Sequence, residues 1–292
     1  MSERIEAKLL VDCKNHLGEG IQWSVERQRV YWPDIFGNVL QSCDENGGAI
    51  ERLELETGLT AFGFTRTGRA IASFVDGVCW LDMETGEREM LYPFQPDNPK
   101  TRLNDGGLDR QGRFLVGGMD EVDTTAIAPM LSVTPKGVRE ILQGIAISNS
   151  LAFSPDGKTM YFTDTPTKKI FAYSYDTETG TPSEPRLFTR LSEGDGGPDG
   201  STVDAKGGLW NARFGGSAVQ RYLPDGTPDI RVDLTVPNIT CCAIGGRNMN
   251  RLFITTARAG MSDEALDACP TAGGLFVADI PVKGLEVGFY AD

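Results

Sequence analysis

The stretch Ser154-Pro155-Asp156-Gly157-Lys158-Thr159-Met160-Tyr161-Phe162-Thr163 decides the fold. Pro, Asp and Gly make a polar turn, and a short run of β-branched and aromatic residues follows it. Outward from this stretch, the same turn-then-strand order returns at residues 24–32, 65–72, 109–116, 204–210 and 246–254. With Arg29, Arg69, Arg113, Thr159, Gly208 and Arg251 taken as equivalent points, the copies recur every ~40–50 residues, the period of a four-stranded propeller blade. Further apolar runs at 169–176 and 218–226 read as outer strands of their blades. A β-sandwich has no reason to place six such copies in phase. The expectation is an all-β, six-bladed β-propeller with four-stranded blades, spanning residues 1–292 as one domain. Residues 7–12 read as a strand with no blade of its own. It is expected to pair into the last blade and close the ring, which removes an exposed sheet edge.

Composition narrows the chemistry. The chain has 292 residues, 40% of them hydrophobic, which is ample for a buried core. Its formal net charge is -13 and no basic run occurs, so nucleic acid and anionic membranes are poor partners. The acidity serves solubility. No stretch approaches the ~20 apolar residues of a membrane span, and residues 1–8 lack the apolar core of a signal peptide. A cytoplasmic protein is expected. The six cysteines include no CxxC pair and read as reduced thiols in or near the core. His16 is the only histidine. That excludes HExxH and poly-histidine zinc sites and paired-histidine relays. A Ser-His-Asp triad would need His16, and no GxSxG elbow accompanies it. Chemistry here falls to carboxylates and amides, with or without a metal. His16 itself reads as a loop residue within reach of the channel mouth.

One phase of the repeat carries those groups. Nine or ten residues before the equivalent points stand Glu19, Asn104, Asn149 and Asp199; the second blade offers Leu59 or Thr60 and the sixth Cys241 or Cys242. Equal phase in a propeller means equal height and radius. Four oxygen-bearing side chains therefore share one ring at the start of the innermost strands. Two carboxylates gathered there repel, and a cation relieves the repulsion. Oxygen-only donors suit Ca, Mg or Mn, with Zn and Fe(II) also open.

Leu17-Gly18-Glu19-Gly20 with Trp23, Arg102-Leu103-Asn104-Asp105-Gly106, Ser148-Asn149 running into Phe153-Ser154-Pro155-Asp156-Gly157, and Pro198-Asp199-Gly200 occur in this order. The set resembles the senescence-marker-protein, gluconolactonase and luciferin-regenerating-enzyme family. The likeness runs from Leu17 to the segment 255–258. It implies a six-bladed propeller with one divalent metal ion in its channel, held by Glu19, Asn149 and Asp199. It implies a sugar lactonase that opens an aldonolactone to the aldonic acid. Asp199 would be the general base or would orient the water. Arg102 and Asn104 would hold the substrate, with Asp105 as a neighbour. An acidic sugar contact is expected shortly after the third copy, where Asp120, Glu121 and Asp123 compete and Glu121 is taken. Two positions depart from the family pattern: Ile21 replaces the usual Pro, and Ser150 replaces the Gly that often follows the ligand Asn.

Other readings are a metal-dependent phosphotriester hydrolase and a non-catalytic calcium-binding regulatory propeller. A WD-type scaffold lacks its repeated Gly-His and Trp-Asp signatures here. The small-molecule partner would be a sugar lactone of unspecified identity and ring size. The protein would be a monomer or small homo-oligomer.

Overall fold

Each copy that organised the sequence is a β-hairpin, and in five of the six the turn is capped by a side chain just ahead of it. Ser24 Oγ accepts from Arg27 N, Thr65 Oγ1 from Thr67 N, and Ser154 Oγ from Thr159 N. Asp109 accepts from Gln111 N and Arg113 N, and Asp204 from Lys206 N and Gly208 N. These are the local bonds that make Ser, Thr and Asp good turn residues. The computed structural model describes residues 3–95 and 97–292.

The hairpins belong to six sheets, one per copy, in the meander order of a propeller. The first strands of the six blades are Gln22–Ser24, Leu59–Phe64, Thr101–Leu108, Ser148–Phe153, Gly197–Val203 and Ile239–Gly245. First strands of successive blades pack on one another around the axis, except that between blades one and two the second strand, Arg29–Asp34, makes the contact with Leu59–Phe64. Lys8–Val11 pairs antiparallel with Leu275–Asp279 as the outer strand of the sixth blade, closing the ring as the sequence implied. A second N-terminal strand was not expected. Glu3–Glu6 pairs parallel with Pro228–Asp233, so the fifth blade has five strands, not four. Arg4 pins it through a two-pronged bond to Asp233.

The core is divided. Six clusters of buried apolar residues fall one to each interface between neighbouring blades. Trp32 and Trp210 are wholly buried within two of them. The axis itself is lined by strand ends and is left free for polar groups. Its far end is crossed by the C-terminal tail, which bonds from Lys283 O to Ala205 N and from Tyr290 N to Phe64 O. Leu285, Val287 and Gly288 of that tail close an axial cavity of 120 Å³. All six cysteines are free, four of them buried. A short helix, Asp263–Ala268, sits in the loop between the second and third strands of the sixth blade, at the opposite, near end. No helix among the described residues is long and apolar enough to cross a membrane.

Candidate metal and substrate site

At the near end, five of the six first strands break register at the same place. The shifts fall between Leu59 and Ala61, Leu103 and Gly106, Asn149 and Ala152, Pro198 and Ser201, and Ile239 and Cys241. A bulge turns a side chain away from the pleat, which is why bulges gather beside sites. Asn104 and Asp199 lie in these bulges and Asn149 immediately before one. Glu19 precedes the first strand of blade one and is tied to the second strand of that blade, Arg29–Asp34, by a bond from Glu19 N to Pro33 O. In the sixth blade the bulged residue is Thr240, one place ahead of the Cys241 or Cys242 expected from spacing. Thr240 turns its hydroxyl to Gly18 O, and in the second blade Thr60 bonds Ser73. Two of the six phase positions thus spend their hydroxyls on structural bonds, Thr240 to the segment ahead of blade one and Thr60 within its own blade.

The remaining groups form a continuous polar arc. Arg102 Nη1 donates to Asn104 Oδ1 at 2.6 Å, and Asn104 Nδ2 donates to Ser148 O at 2.8 Å and to Asn149 Oδ1 at 3.4 Å. Asn149 Nδ2 donates to Thr165 Oγ1 at 2.9 Å, and Thr165 passes its own hydrogen to Pro198 O. The Asn149 amide is thereby oriented with its nitrogen on Thr165. Arg102 is 5% exposed and pairs through Nε with Glu121 Oε1 at 2.6 Å. The three acids of that loop have different partners. Asp120 is folded back onto its own loop, accepting from Val122, Asp123 and Thr125 N, which holds its carboxyl low, at about 2. Asp123 pairs with Lys100. Glu121 alone of the three reaches Arg102.

Asp105 lies beneath this arc, accepts Leu151 N at 2.9 Å and lines the axial cavity. Burial pushes its carboxyl up to about 7. Asp199 is raised well above the usual range, first by burial and then by the charges of Glu19 and Asp105. Glu19 is half-buried by exposed area, yet protein surrounds it closely. It is raised by desolvation and by Asp105, against a bond from Gly20 N and the nearby Arg102 charge. No Lys or Arg forms an ion pair with any of the three among the described residues. The site therefore gathers three carboxyl groups that no ion pair neutralises, with only the Arg102 charge nearby.

That is the condition a cation relieves. Glu19 and Asp199 offer carboxylate oxygens and Asn149 an amide oxygen, a hard donor set that could hold a divalent ion. Among the described residues no three His, Cys, Asp or Glu side chains are placed to hold a metal ion by themselves. The set proposed here contains two carboxylates and one amide.

Several supporting residues were not anticipated. Asn211, wholly buried in the second strand of blade five, donates to Asp199 O at 2.8 Å and to Ser150 Oγ at 2.7 Å. Ser150 donates to Asp199 O in turn and has φ +60, a left-handed backbone that favours glycine. The serine at this departure from the family pattern thus keeps the backbone form and adds a bond that fixes Asp199. The glycine of Asp199-Gly200 serves close packing: a Cβ there would lie 2.4 Å from Cys241 Sγ. Asn211 was legible only as a polar residue at a core position of a strand.

Comparisons with known proteins bear on the family and the fold. Residues 17–258 match the model of the SMP-30/Gluconolactonase/LRE-like region. The chain is 37% identical to the L-arabinolactonase of Azospirillum brasilense, over 98% of this chain and 96% of that one. It is 33% identical to the 6-deoxy-6-sulfogluconolactonase of Pseudomonas putida, over 97% and 98%. Among solved structures, the calcium-binding protein regucalcin of Agrobacterium tumefaciens superposes with a TM-score of 0.94 at 30% identity, covering 99% of both chains. With the bulged ring, the arc from Arg102 to Asp199 and a match over most of its length, this chain belongs to the SMP-30/gluconolactonase/LRE-like family.

Proposed function

We propose that this protein, as one propeller domain, hydrolyses a sugar lactone to its aldonic acid with the help of one divalent metal ion. The observation that carries the reading is the meeting of Glu19, Asn149 and Asp199 with the Arg102–Asn104–Glu121 arm at one mouth. Its relatives named as lactonases support the reaction class. A divalent ion on Glu19, Asn149 and Asp199 would supply Lewis-acid polarisation of the lactone carbonyl and balance the site's charge.

The protein's own groups do the rest. Arg102, fixed by Glu121 and Asn104, donates to substrate oxygens and orients the ring. Water adds to the carbonyl carbon and the ring carbon–oxygen bond breaks. An Asp199 carboxylate oxygen takes the water's proton and returns it to the departing ring oxygen, or orients that water for the same transfer. The bonds from Ser150 and Asn211 to the Asp199 backbone carbonyl fix the main chain that carries that carboxylate. Asp105, raised to about 7 by burial, keeps a further proton-exchanging group below the ring.

The test is acid release from a panel of pentono- and hexonolactones, read by indicator absorbance. Chelator-treated protein receives Ca, Mg, Mn, Zn or Fe(II) singly. Metal-restored hydrolysis of one or a few lactones is expected. Metal binding without hydrolysis of any lactone overturns the lactonase reading and favours a non-catalytic calcium-binding propeller.

A further inference from the structure

The loop after the second strand of blade one carries an exposed aromatic side chain at the same mouth. Phe36 is 46% exposed. Single exposed aromatics are ordinary on protein surfaces, so exposure alone decides nothing. Its neighbours and its anchoring are less ordinary. The His16 ring meets it edge-on at 5.1 Å, and the Arg102 guanidinium carbon lies 5.9 Å from its centre. Arg102 is the buried arm of the polar arc, so Phe36 lies beside the group that orients the substrate.

The loop is also rigidly held. Asp34, 7% exposed, accepts from His16 N and Leu17 N at 2.9 Å and from Gly37 N at 3.1 Å. One buried carboxylate therefore ties the segment leading to Glu19 to the turn that bears Phe36. Ile35 N bonds Leu17 O across the same junction. At Gly37 a Cβ would come within 2.5 Å of Asp34 Oδ2, so the turn is drawn tightly onto that carboxylate. A preorganised aromatic face beside a buried guanidinium presents one apolar and one polar wall.

We propose that Phe36 is the apolar platform of the substrate pocket, packing on the carbon–hydrogen face of the lactone ring and its side chain while Arg102 takes the oxygens. This rests on the lactonase reading and adds to it a residue that sets substrate preference. A sugar lactone has such a two-sided character: hydroxyls project from its edges, and its faces carry C–H groups. Aromatic side chains in small-molecule pockets supply this apolar wall, and a few polar groups fix orientation.

The experiment compares Phe36→Ala, Phe36→Leu and Phe36→Trp with the wild type on the same lactone panel, with metal saturating. Phe36→Ala is expected to raise KM about fivefold to tenfold, the size of one lost apolar contact, with kcat within about twofold. It should also flatten the differences in KM across the panel. Phe36→Trp should keep the wild-type KM, and Phe36→Leu should fall between. Unchanged KM and unchanged panel preference in Phe36→Ala overturn the platform. So does a fall in kcat with KM constant. If the wild type hydrolyses no lactone, the functional reading fails by itself. The platform is then tested by calorimetric binding of an aldonic acid, where equal affinity in wild type and Phe36→Ala overturns it.

Discussion

At the far ends of the first strands, Asp109 and Asp204 are enclosed by donors, whereas at the near ends Glu19, Asp105 and Asp199 are left with few. Asp109 accepts from Gln111 N, Arg113 N, Arg113 Nη1 and Tyr175 OH. Asp204 accepts from Lys206 N, Gly208 N, Trp210 Nε1 and Arg221 Nε. At the near end, Glu19 accepts Gly20 N and Asp105 accepts Leu151 N, and burial drives their carboxyls up. The same residue types, one strand length apart, are thus used in opposite ways. The far-end carboxylates close turns and stabilise blades. The near-end carboxyl groups are buried with few donors, which raises the cost of ionising them and is the condition the proposed cation would relieve.

The sharpest break of that contrast is Asp199→Asn. It should lower kcat by about 10²–10⁴-fold in metal-loaded protein, with a smaller change in sugar affinity. Stopped assays on the preferred lactone check it, and unchanged turnover removes Asp199 from the reaction. Asp204→Ala should do the reverse. It removes one partner of a buried ion pair with Arg221, so a loss of about 3–5 kcal/mol in urea unfolding is expected, with KM unchanged in the folded fraction.

The smallest effect is in pH dependence. Asp105 is raised from 3.8 to about 7, and Glu19 and Asp199 are raised with it. A raised acid binds more protons folded than unfolded, so its contribution falls as pH rises from about 4 to about 7. The metal-free protein should therefore lose thermal stability across that window. Saturating calcium should flatten the slope, because a bound cation keeps the carboxylates ionised in the folded state. Equal slopes with and without metal would mean that these groups are not where the cation binds.

The far-end pattern was the more legible in sequence because every blade solves one problem there with Ser, Thr, Asp or Gly in a tight turn. Ser154 and Asp204 occupy equivalent places, and their repetition exposed the propeller. The near-end ring was legible in part. Asn104, Asn149 and Asp199 share a phase because bulges recur at one register, and Glu19 joins them from ahead of an unbulged strand. The same bulges shift the count by one residue, which is why Thr240, and not Cys241, holds the sixth position. Other features had no local signal. Glu3–Glu6 has no apolar face to mark it as a strand, since its partner is an outer strand and it lies largely in solvent. The choice of Glu121 over Asp120 and Asp123 depends on which acid folds back on its own loop, which spacing does not encode. Asp34 reads in sequence as the polar end of a strand, and its hold on two loops exists only in three dimensions.

The sixth blade joins Lys8–Val11 to Leu275–Asp279, strands from opposite ends of the 292-residue sequence. Synthesis at ~5–20 residues per second delivers these two strands on the order of tens of seconds apart. Over that interval the nascent chain holds a strand without its partner, the kind of edge that recruits other chains. The charges on either side of Leu9 and Leu10, from Glu3, Arg4, Glu6 and Lys8 to Asp12, act as gatekeepers during the wait. Ring closure is the longest-range pairing in the fold, and by the topology of contacts it falls at the slow end of folding.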